Sequence, residues 1–360
     1  MHKRARYDEE RLMAEKHILK GKTCAVTGAA GFIGSTLCDR ILRLGGRVVG
    51  IDNMSSGDSG NYVHNLDIPI AYNAAKSGGL HLVTHKMSER IPYVMIYKDA
   101  IDSSIYSDLK KYKVDYVFHL AANAGVPNSF DDPIGTNASN TVATLNMLNC
   151  SSQAGVKRFI FASSSSVYGG ADGVASTESD ELNPMSPYAL QKKIGEEYCG
   201  FYSKIYGLDT GSLRYFNVFG PRQSTKSAYA AVIPAFCTRL LKDNGKKSAV
   251  IYGDGTQYRD FCFVDNVVNA NILAAMREEP FNGKVYNIAC GSTHTINELT
   301  KAIGLKNIRY EGRRAGDVYG SLADISLAKN DLGYLPSISF KKGISITLRW
   351  YLENAPWNRG

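Results

Sequence analysis

The chain has 360 residues, of which 44% are hydrophobic and 21% charged, a composition sufficient for one large α/β domain or two modest ones. Its net charge of +8 is not concentrated in a basic stripe with interleaved aromatic residues, so we predict no nucleic-acid partner. No apolar run reaches the roughly 18 residues that a membrane-spanning helix needs, and we predict no membrane partner.

The N-terminal segment and the cysteines bear on location. Residues 1–20 are charged and lack an apolar signal segment, so we predict an amphipathic helical extension there. The seven cysteines are scattered and form no Cys-x-x-Cys pair. This pattern predicts a reducing, cytoplasmic compartment, with no disulfide framework and no metal site.

Strand and helix signals alternate through the first half of the chain. Short apolar runs predict strands at residues 23–28, 47–52, 114–122, 158–164 and 211–217, separated by helical stretches. The first helix begins at Phe32, and Gly45 follows its last apolar position as a stop. This alternation predicts a Rossmann-type, doubly wound parallel sheet over residues 21–216. Residues 55–98 form a long insertion to which we assign no structure.

The second half of the chain loses this regular alternation. Short strand-like pieces lie between loops and helices, and Thr295 and Glu298 stand at the spacing of a capping box, which predicts a helix start. We predict a smaller α/β lobe over residues 217–360 that mainly binds substrate. No flexible linker separates the halves, so we expect them to be interleaved, with residues 260–280 returning to the Rossmann domain.

A glycine-rich loop follows the first strand. The sequence TGAAGFIG places Gly28, Gly31 and Gly34 between a strand and a helix, where backbone N–H groups can approach a pyrophosphate. Asp52 ends the second strand, roughly 20 residues beyond the loop, where a carboxylate can hold a ribose hydroxyl. Because an acid there repels a 2′-phosphate, we predict NAD rather than NADP as the cofactor.

The pattern Tyr-x-x-x-Lys occurs at Tyr72–Lys76, Tyr106–Lys110 and Tyr188–Lys192, so the spacing alone selects none of them. Ser186 is a plausible N-cap and Pro187 a plausible first helical residue, which puts Tyr188 and Lys192 one turn apart on one helix face. That helix follows the strand at 158–164, whose carboxyl end points to the ligand crevice of a parallel sheet. The 106–110 pair precedes a strand and lies at the wrong end.

Proton transfer explains why a lysine beside this tyrosine matters. A free phenol titrates near pH 10, so a base working near pH 7 needs its pKa lowered by roughly three units, about 4 kcal/mol. One positive charge about 4 Å away supplies about that much at an effective dielectric constant near 20. We predict that Lys192 and an oxidised nicotinamide together lower the pKa of Tyr188.

Six motifs occur in order: TGAAGFIG, HLAANAGV, SSSSVYG, SPYALQKK, RYFNVFGPR and RDFCFVDN. Together they resemble the extended short-chain dehydrogenase/reductase family, whose members modify nucleotide sugars. The resemblance implies an NAD-dependent enzyme with a UDP-sugar substrate, in which Tyr188 is the base, Lys192 tunes it and also bonds the nicotinamide ribose, and Ser164 bonds the reacting sugar oxygen. It further implies a homodimer formed through a helix bundle that includes the helix after Tyr188.

The resemblance extends to the binding residues. Those implied for the cofactor are Gly28, Gly31, Phe32, Ile33, Gly34, Asp52, Asn53, Ser55, Ser56, Gly57, Asp99, Ala100, Ala121, Ala122, Tyr188, Lys192 and Tyr215. Those implied for the substrate are Ser164, Ser165, Ser166, Tyr188, Asn217, Ala231, Val232, Tyr252, Arg259, Arg314, Asp317 and Ser321. Among these, Arg259 and Arg314 are expected on the diphosphate and Asp317 on a ribose hydroxyl.

The serine run bears on the reaction type. Related sugar-nucleotide dehydratases carry Asp-Glu where this chain has Ser165 and Ser166, and elimination of water needs such a general acid and base. We therefore predict a 4-epimerase that works through a transient 4-keto sugar, most similar to the UDP-GlcNAc/UDP-GalNAc 4-epimerase branch. Ser321 falls where galactose-restricted relatives carry a bulky tyrosine, and Asn128 departs from the arginine often found in the branch.

Several alternatives remain open at this point. Within the family they are UDP-glucose 4-epimerase, UDP-glucuronate 4-epimerase, and another NDP-sugar epimerase or dehydratase. Outside enzymes, an NAD-sensing scaffold would share the fold, although the intact set of Tyr188, Lys192 and Ser164 argues against it.

Overall fold

The computed structural model describes residues 18–58, 60–63, 70–73, 92–170, 173–225, 231–242, 248–313 and 318–354. Of the predicted N-terminal extension, residues 1–17 lie outside this set, and residues 18–21 form a turn in which Leu19 is fully buried.

An eight-stranded sheet forms the centre of the fold. Its strands are β1 (Thr23–Thr27), β2 (Arg47–Asp52), β3 (Ile70–Asn73), β4 (Tyr93–Tyr97), β5 (Tyr116–His119), β6 (Arg158–Ser164), β7 (Asp209–Tyr215) and β12 (Val285–Ile288). They are ordered β12-β7-β6-β5-β1-β2-β4-β3, and every neighbouring pair is parallel. The predicted doubly wound parallel sheet is confirmed, and its order reverses direction beside β1.

Helices connect and cover the strands. They are α1 (Phe32–Arg43), α2 (Gly60–Val63), α3 (Ile105–Lys111), α4 (Val126–Asp131), α5 (Pro133–Asn137), α6 (Ala143–Ala154), α7 (Pro187–Tyr206), α8 (Val232–Lys242), α9 (Val264–Met276), α10 (Ile296–Ile303), α11 (Ser326–Leu332) and α12 (Phe340–Asn354). A π-helical stretch, Ala138–Val142, joins α5 to α6, and a 3₁₀ helix, Ser165–Tyr168, follows β6. Along these described segments, no helix is both long and apolar enough to cross a membrane.

Alternate residues of the strands face two separate cores. Along β1, Cys24 and Val26 belong to the core on one side, while Ala25 belongs to the core on the other. All of these side chains are fully buried, which is the property of a parallel sheet covered on both faces. The predicted strand at 47–52 and the predicted helix start at Phe32 match the observed bounds.

Short strands of the second half build the smaller lobe. They are β8 (Val218–Phe219), β9 (Ala249–Tyr252), β10 (Tyr258–Arg259), β11 (Cys262–Phe263), β13 (His294–Thr295), β14 (Ile308–Glu311) and β15 (Gly320–Ser321). They form the sheets β13-β10-β15, β11-β8 and β14-β9. The capping box of Thr295 and Glu298 is present at the start of α10, as predicted.

The chain returns to the large sheet after this lobe begins. Helix α9 lies within the predicted return at 260–280 and packs against α1 and β6. Strand β12 lies beyond that range and pairs with β7, so the second half contributes more to the large sheet than the predicted range contains. The insertion at 55–98, left unassigned from the sequence, supplies β4 beside β2 and β3 at the sheet edge.

Candidate active site

The glycine loop between β1 and α1 is a close-packed backbone turn. Gly28 has a φ of +71°, and a Cβ on Gly34 would lie 2.0 Å from the Gly28 carbonyl oxygen. A Cβ on Gly31 would meet the same oxygen at 3.1 Å. No side chain caps the helix at Gly31, so the first N–H groups of α1 keep no side-chain partner among the described residues. Phe32 and Ile33 begin this helix, and the cradle is of the kind that holds a dinucleotide pyrophosphate.

Asp52 lies beside this turn at the end of β2. Its carboxylate accepts hydrogen bonds from the N–H of Ala30 at 2.9 Å and of Met54 at 2.8 Å. Burial raises the pKa of Asp52, and the two backbone bonds oppose that shift. A Cβ on Gly57 would come within 3.0 Å of the same carboxylate, so glycine leaves room beside it. The carboxylate is thus fixed in orientation at the predicted ribose position.

The remaining predicted cofactor residues lie on the loops after β2, β4 and β5. Asn53 donates to Asp99 at 2.7 Å, and its own amide oxygen accepts from the N–H of Ser55 at 2.9 Å. Ser56 is exposed, whereas Ala100 is buried. The N–H of Ala121 donates to Thr27 at 3.1 Å, and Ala122 follows it. The carboxyl ends of β1, β2, β4 and β5 therefore bring these predicted residues to one edge of the sheet.

Tyr188 and Lys192 occupy the first turns of α7, as predicted. Ser186 caps the helix by accepting the N–H of Ala189 at 3.1 Å, and Pro187 is the first helical residue. Lys192 is almost fully buried, and its Nζ donates to the carbonyl oxygen of Ala162 on β6 at 2.8 Å. Burial lowers the pKa of Lys192 to about 8.

The other two Tyr-x-x-x-Lys pairs do not occupy this position. Lys110 donates to Tyr106 at 3.0 Å on the exposed side of α3, before β5. Lys76 lies outside the described residues, so the structure does not place the Tyr72–Lys76 pair.

The chain by itself does not lower the pKa of the Tyr188 phenol, so the joint effect of Lys192 and an oxidised nicotinamide stays a prediction. Burial raises the pKa of the phenol, and a hydrogen bond with Ser164 opposes that shift only in part. The Lys192 nitrogen lies 5.8 Å from the centroid of the tyrosine ring and is already bonded to Ala162. The prediction counted two cations, Lys192 and the nicotinamide, and left out desolvation of the phenol, which is the largest influence on this pKa in the chain alone. Lowering this pKa therefore needs positive charge beyond that of Lys192.

The serine run ends β6 and starts the 3₁₀ helix. Ser166 donates to the Ser164 hydroxyl at 2.9 Å, and its N–H bonds the same oxygen at 3.2 Å. Ser165 stands between them. In the described part of the chain, no carboxylate is hydrogen-bonded to Ser165 or Ser166.

The predicted substrate residues Asn217, Arg259 and Ser321 come together in the smaller lobe. Asn217 has a φ of +34° and donates to Ser321 at 2.7 Å. Arg259 lies opposite Ser321 in the β10–β15 pairing, and its guanidinium donates to the carbonyl oxygens of Val318 at 2.7 Å and Tyr319 at 3.0 Å. Three residues that are distant in sequence thus lie side by side.

Other predicted residues are placed less directly. Tyr252 ends β9, and its carbonyl oxygen accepts a hydrogen bond from Gln257 at 2.7 Å. Gln257 stands two residues before Arg259 in the chain. Ala231 and Val232 stand at the start of α8. The phenol of Tyr215 accepts from Asn271 at 2.8 Å inside the core, so its hydroxyl is already engaged. Arg314 and Asp317 lie outside the described residues.

A buried polar network under the serine run escaped sequence reasoning. Glu196 on α7 forms an ion pair with Arg214 on β7 at 2.7 Å and accepts from Ser163 at 2.5 Å. Arg214 also donates to Tyr168 at 2.7 Å. Two signals were available: Glu196 stands one turn beyond Lys192, and Arg214 is a charged residue inside an otherwise apolar strand.

Comparison with known proteins agrees with this geometry. The model of the NAD dependent epimerase/dehydratase family, named Epimerase, matches residues 24–289. The chain belongs to this family. Its cofactor is NAD, which the glycine cradle and Asp52 fit, and it is an isomerase of the 4-epimerase type.

Individual relatives differ in substrate. UDP-glucose 4-epimerase of Mycolicibacterium smegmatis is 33% identical over 332 residues, covering 91% of this chain and 97% of the relative. UDP-glucuronate 4-epimerase of Thermodesulfobacterium geofontis is 33% identical over 339 residues, covering 91% of this chain and 96% of the relative. A solved structure shows the UDP-N-acetylglucosamine 4-epimerase of Methanobrevibacter ruminantium in complex with UDP-N-acetylmuramic acid. It is 37% identical to this chain with a TM-score of 0.81, and the match covers 93% of this chain and 99% of the other.

Proposed function

We propose that the protein interconverts UDP-GlcNAc and UDP-GalNAc by inverting carbon 4 of the sugar, with UDP-glucose and UDP-galactose as further substrates. The observation that carries the proposal is the small Ser321 beside Asn217 and Arg259, two other residues expected to contact the substrate. A serine there leaves the volume that a 2-acetamido group needs when the sugar turns over. The similarity to the Methanobrevibacter ruminantium enzyme supports the same choice.

The chain's residues have distinct parts in this reaction. Tyr188 takes the proton of the 4-hydroxyl and later returns it, while Ser164 bonds the same sugar oxygen and the phenol. NAD, when bound beside these residues, would supply the nicotinamide that can take a hydride from carbon 4 and return it to the opposite face of the ring. Lys192 holds the end of β6 through Ala162, and it would also bond the nicotinamide ribose when NAD is bound. The atoms and electrons of the reaction balance, because the product is an epimer with the same composition as the substrate.

Two further features extend the proposal. Exposed apolar side chains lie on α4 and α5 (Phe130, 59% exposed; Ile134, 83%) and along one face of α7 (Leu190, 48%; Phe201, 50%; Ile205, 57%). Because α4 and α5 pack beside α7, these side chains support a homodimer through a helix bundle.

All seven cysteines are free thiols, which supports a reducing, cytoplasmic location.

A substrate panel with a matched pair of variants tests the substrate. Purified protein is given UDP-GalNAc, UDP-glucose and UDP-glucuronate, and the products are separated by chromatography. We expect UDP-GlcNAc from the first. Ser321→Tyr should lower turnover of UDP-GalNAc about tenfold or more relative to UDP-glucose, whereas Ser321→Ala should retain both activities. No UDP-GlcNAc, together with turnover of UDP-glucuronate, would assign the enzyme to the uronate epimerases instead.

A further inference from the structure

The charged pair beneath the serine run joins five elements of the fold. Glu196 lies on α7 and Arg214 on β7, and both side chains are almost fully buried. Arg214 donates to both oxygens of Glu196, at 2.9 Å from Nε and 2.7 Å from Nη2, in the two-point geometry that arginine and carboxylates favour. The third guanidinium nitrogen of Arg214, Nη1, donates to the hydroxyl of Tyr168 in the 3₁₀ helix, and Tyr168 donates to Asn287 on β12 at 2.7 Å.

The same pair controls the end of β6. Ser163 donates to Glu196 at 2.5 Å, and Ser163 lies directly opposite Arg214 in the β6–β7 register. Lys192, one helical turn before Glu196, bonds the carbonyl oxygen of the preceding residue, Ala162. Two successive residues of β6 are thus held by two successive turns of α7. Ser164, the predicted substrate contact, comes next in the chain.

We propose that Glu196 is a positioning residue of the active site: it holds the serine-bearing end of β6 against α7 and places a fixed negative charge one helical turn beyond Lys192. Arg214 is the partner that makes this buried carboxylate stable. The proposal rests on the catalytic roles of Tyr188, Lys192 and Ser164 given under the proposed function.

Electrostatics supply a measurable consequence. The titratable groups facing Lys192 are Tyr188, Glu196 and Cys199 on its own helix and His119 on β5. Burial lowers the pKa of His119 to about 3 and raises the pKa of Cys199 to about 12, so both are neutral near pH 7. The negative charge of Glu196 opposes the fall that burial causes in the pKa of Lys192. Burial also works against the charge on Arg214, but Glu196 and Tyr168 keep its pKa above the ordinary value.

The test compares Glu196→Gln, Ser163→Ala and Tyr188→Phe with the wild-type protein. Each is purified with its NAD, checked for thermal unfolding and NAD content, and assayed for kcat and KM across pH. Glu196→Gln keeps the shape of the side chain but removes its charge, so the alkaline limb of kcat should move down by about one pH unit. Ser163→Ala removes one hydrogen bond and leaves the charges of Glu196 and Arg214 in place. The value of kcat should therefore fall about tenfold, while the alkaline limb of the pH profile does not move and KM changes little.

The outcomes separate the possibilities. A folded Glu196→Gln protein with the wild-type pH profile would overturn the proposal. Because removal of one partner of a buried ion pair is strongly destabilising, this variant can fail to fold. Ser163→Ala then decides, and wild-type kcat in that variant would overturn the positioning role. Full activity in Tyr188→Phe would instead show that the proposed catalytic set is wrong, a failure that is distinct from that of Glu196.

Discussion

Gly34 gives the sharpest structural test of the dinucleotide cradle. A Cβ placed on Gly34 would lie 2.0 Å from the Gly28 carbonyl oxygen and 2.8 Å from its carbon. Ordinary contact begins near 3.4 Å, so Gly34→Ala requires the start of α1 and the glycine loop to separate by about 1.4 Å (3.4 minus 2.0). Both contacted atoms are backbone, so no side chain can rotate to relieve the overlap. The N–H groups that we expect to face the pyrophosphate must move instead.

The loss can be estimated from one hydrogen bond to a charged group. Such a bond contributes about 1.5–3 kcal/mol, so losing it should weaken NAD binding by roughly 10- to 100-fold. We expect Gly34→Ala to be purified with much less NAD, measured by chromatography of the nucleotide released on denaturation. Epimerase activity should fall in proportion and recover in part when NAD is added.

Gly200→Ala is the matched control, because it introduces the same methyl group in helix α7, where a Cβ would meet nothing within 4 Å. It should retain NAD and become more stable by up to about 1 kcal/mol, since alanine favours a helix interior. Retention of as much NAD by Gly34→Ala as by Gly200→Ala would contradict this prediction.

Three other predictions concern the base, its lysine and the interface. Tyr188→Phe should lower kcat about 10²- to 10⁴-fold while NAD stays bound, and normal turnover would remove Tyr188 from the reaction. Because burial lowers the pKa of Lys192 to about 8, kcat should decline as the ammonium loses its proton above that pH; an unchanged rate to pH 10 would contradict this. If the proposed dimer forms, Ile134→Asp should shift the protein from dimer to monomer in light scattering, whereas Ile101→Asp, at another exposed position on the loop after β4, should not. Dimers in both variants would place the interface elsewhere.

Features set by local chemistry were predictable from the sequence. The start of α1, the Ser186 cap with Pro187, and the capping box of Thr295 each depend on residues within about one helical turn. Ordered motifs then indicated the family, and the family model matches most of the chain.

Features set by tertiary pairing were not predictable in this way. Strand β12 looked like its neighbours in the smaller lobe, and its place beside β7 depends on register across residues about 70 positions apart. The Glu196–Arg214 pair joins a helix to a strand, and the separate signals at the two residues do not show that they are partners. The burial that raises the pKa of Tyr188 in the chain alone was not predictable either, because it is a property of the assembled crevice.

The central claim is that carbon 4 is oxidised and reduced within one site, with no water expelled. Running the reaction on UDP-GalNAc in deuterated water, followed by mass spectrometry and NMR of the sugar, tests it most directly. We predict UDP-GlcNAc of unchanged mass with no deuterium at carbon 4, because the hydride is kept within the site. A product that has lost one water, or one that carries deuterium at carbon 4 or carbon 5, would contradict the account.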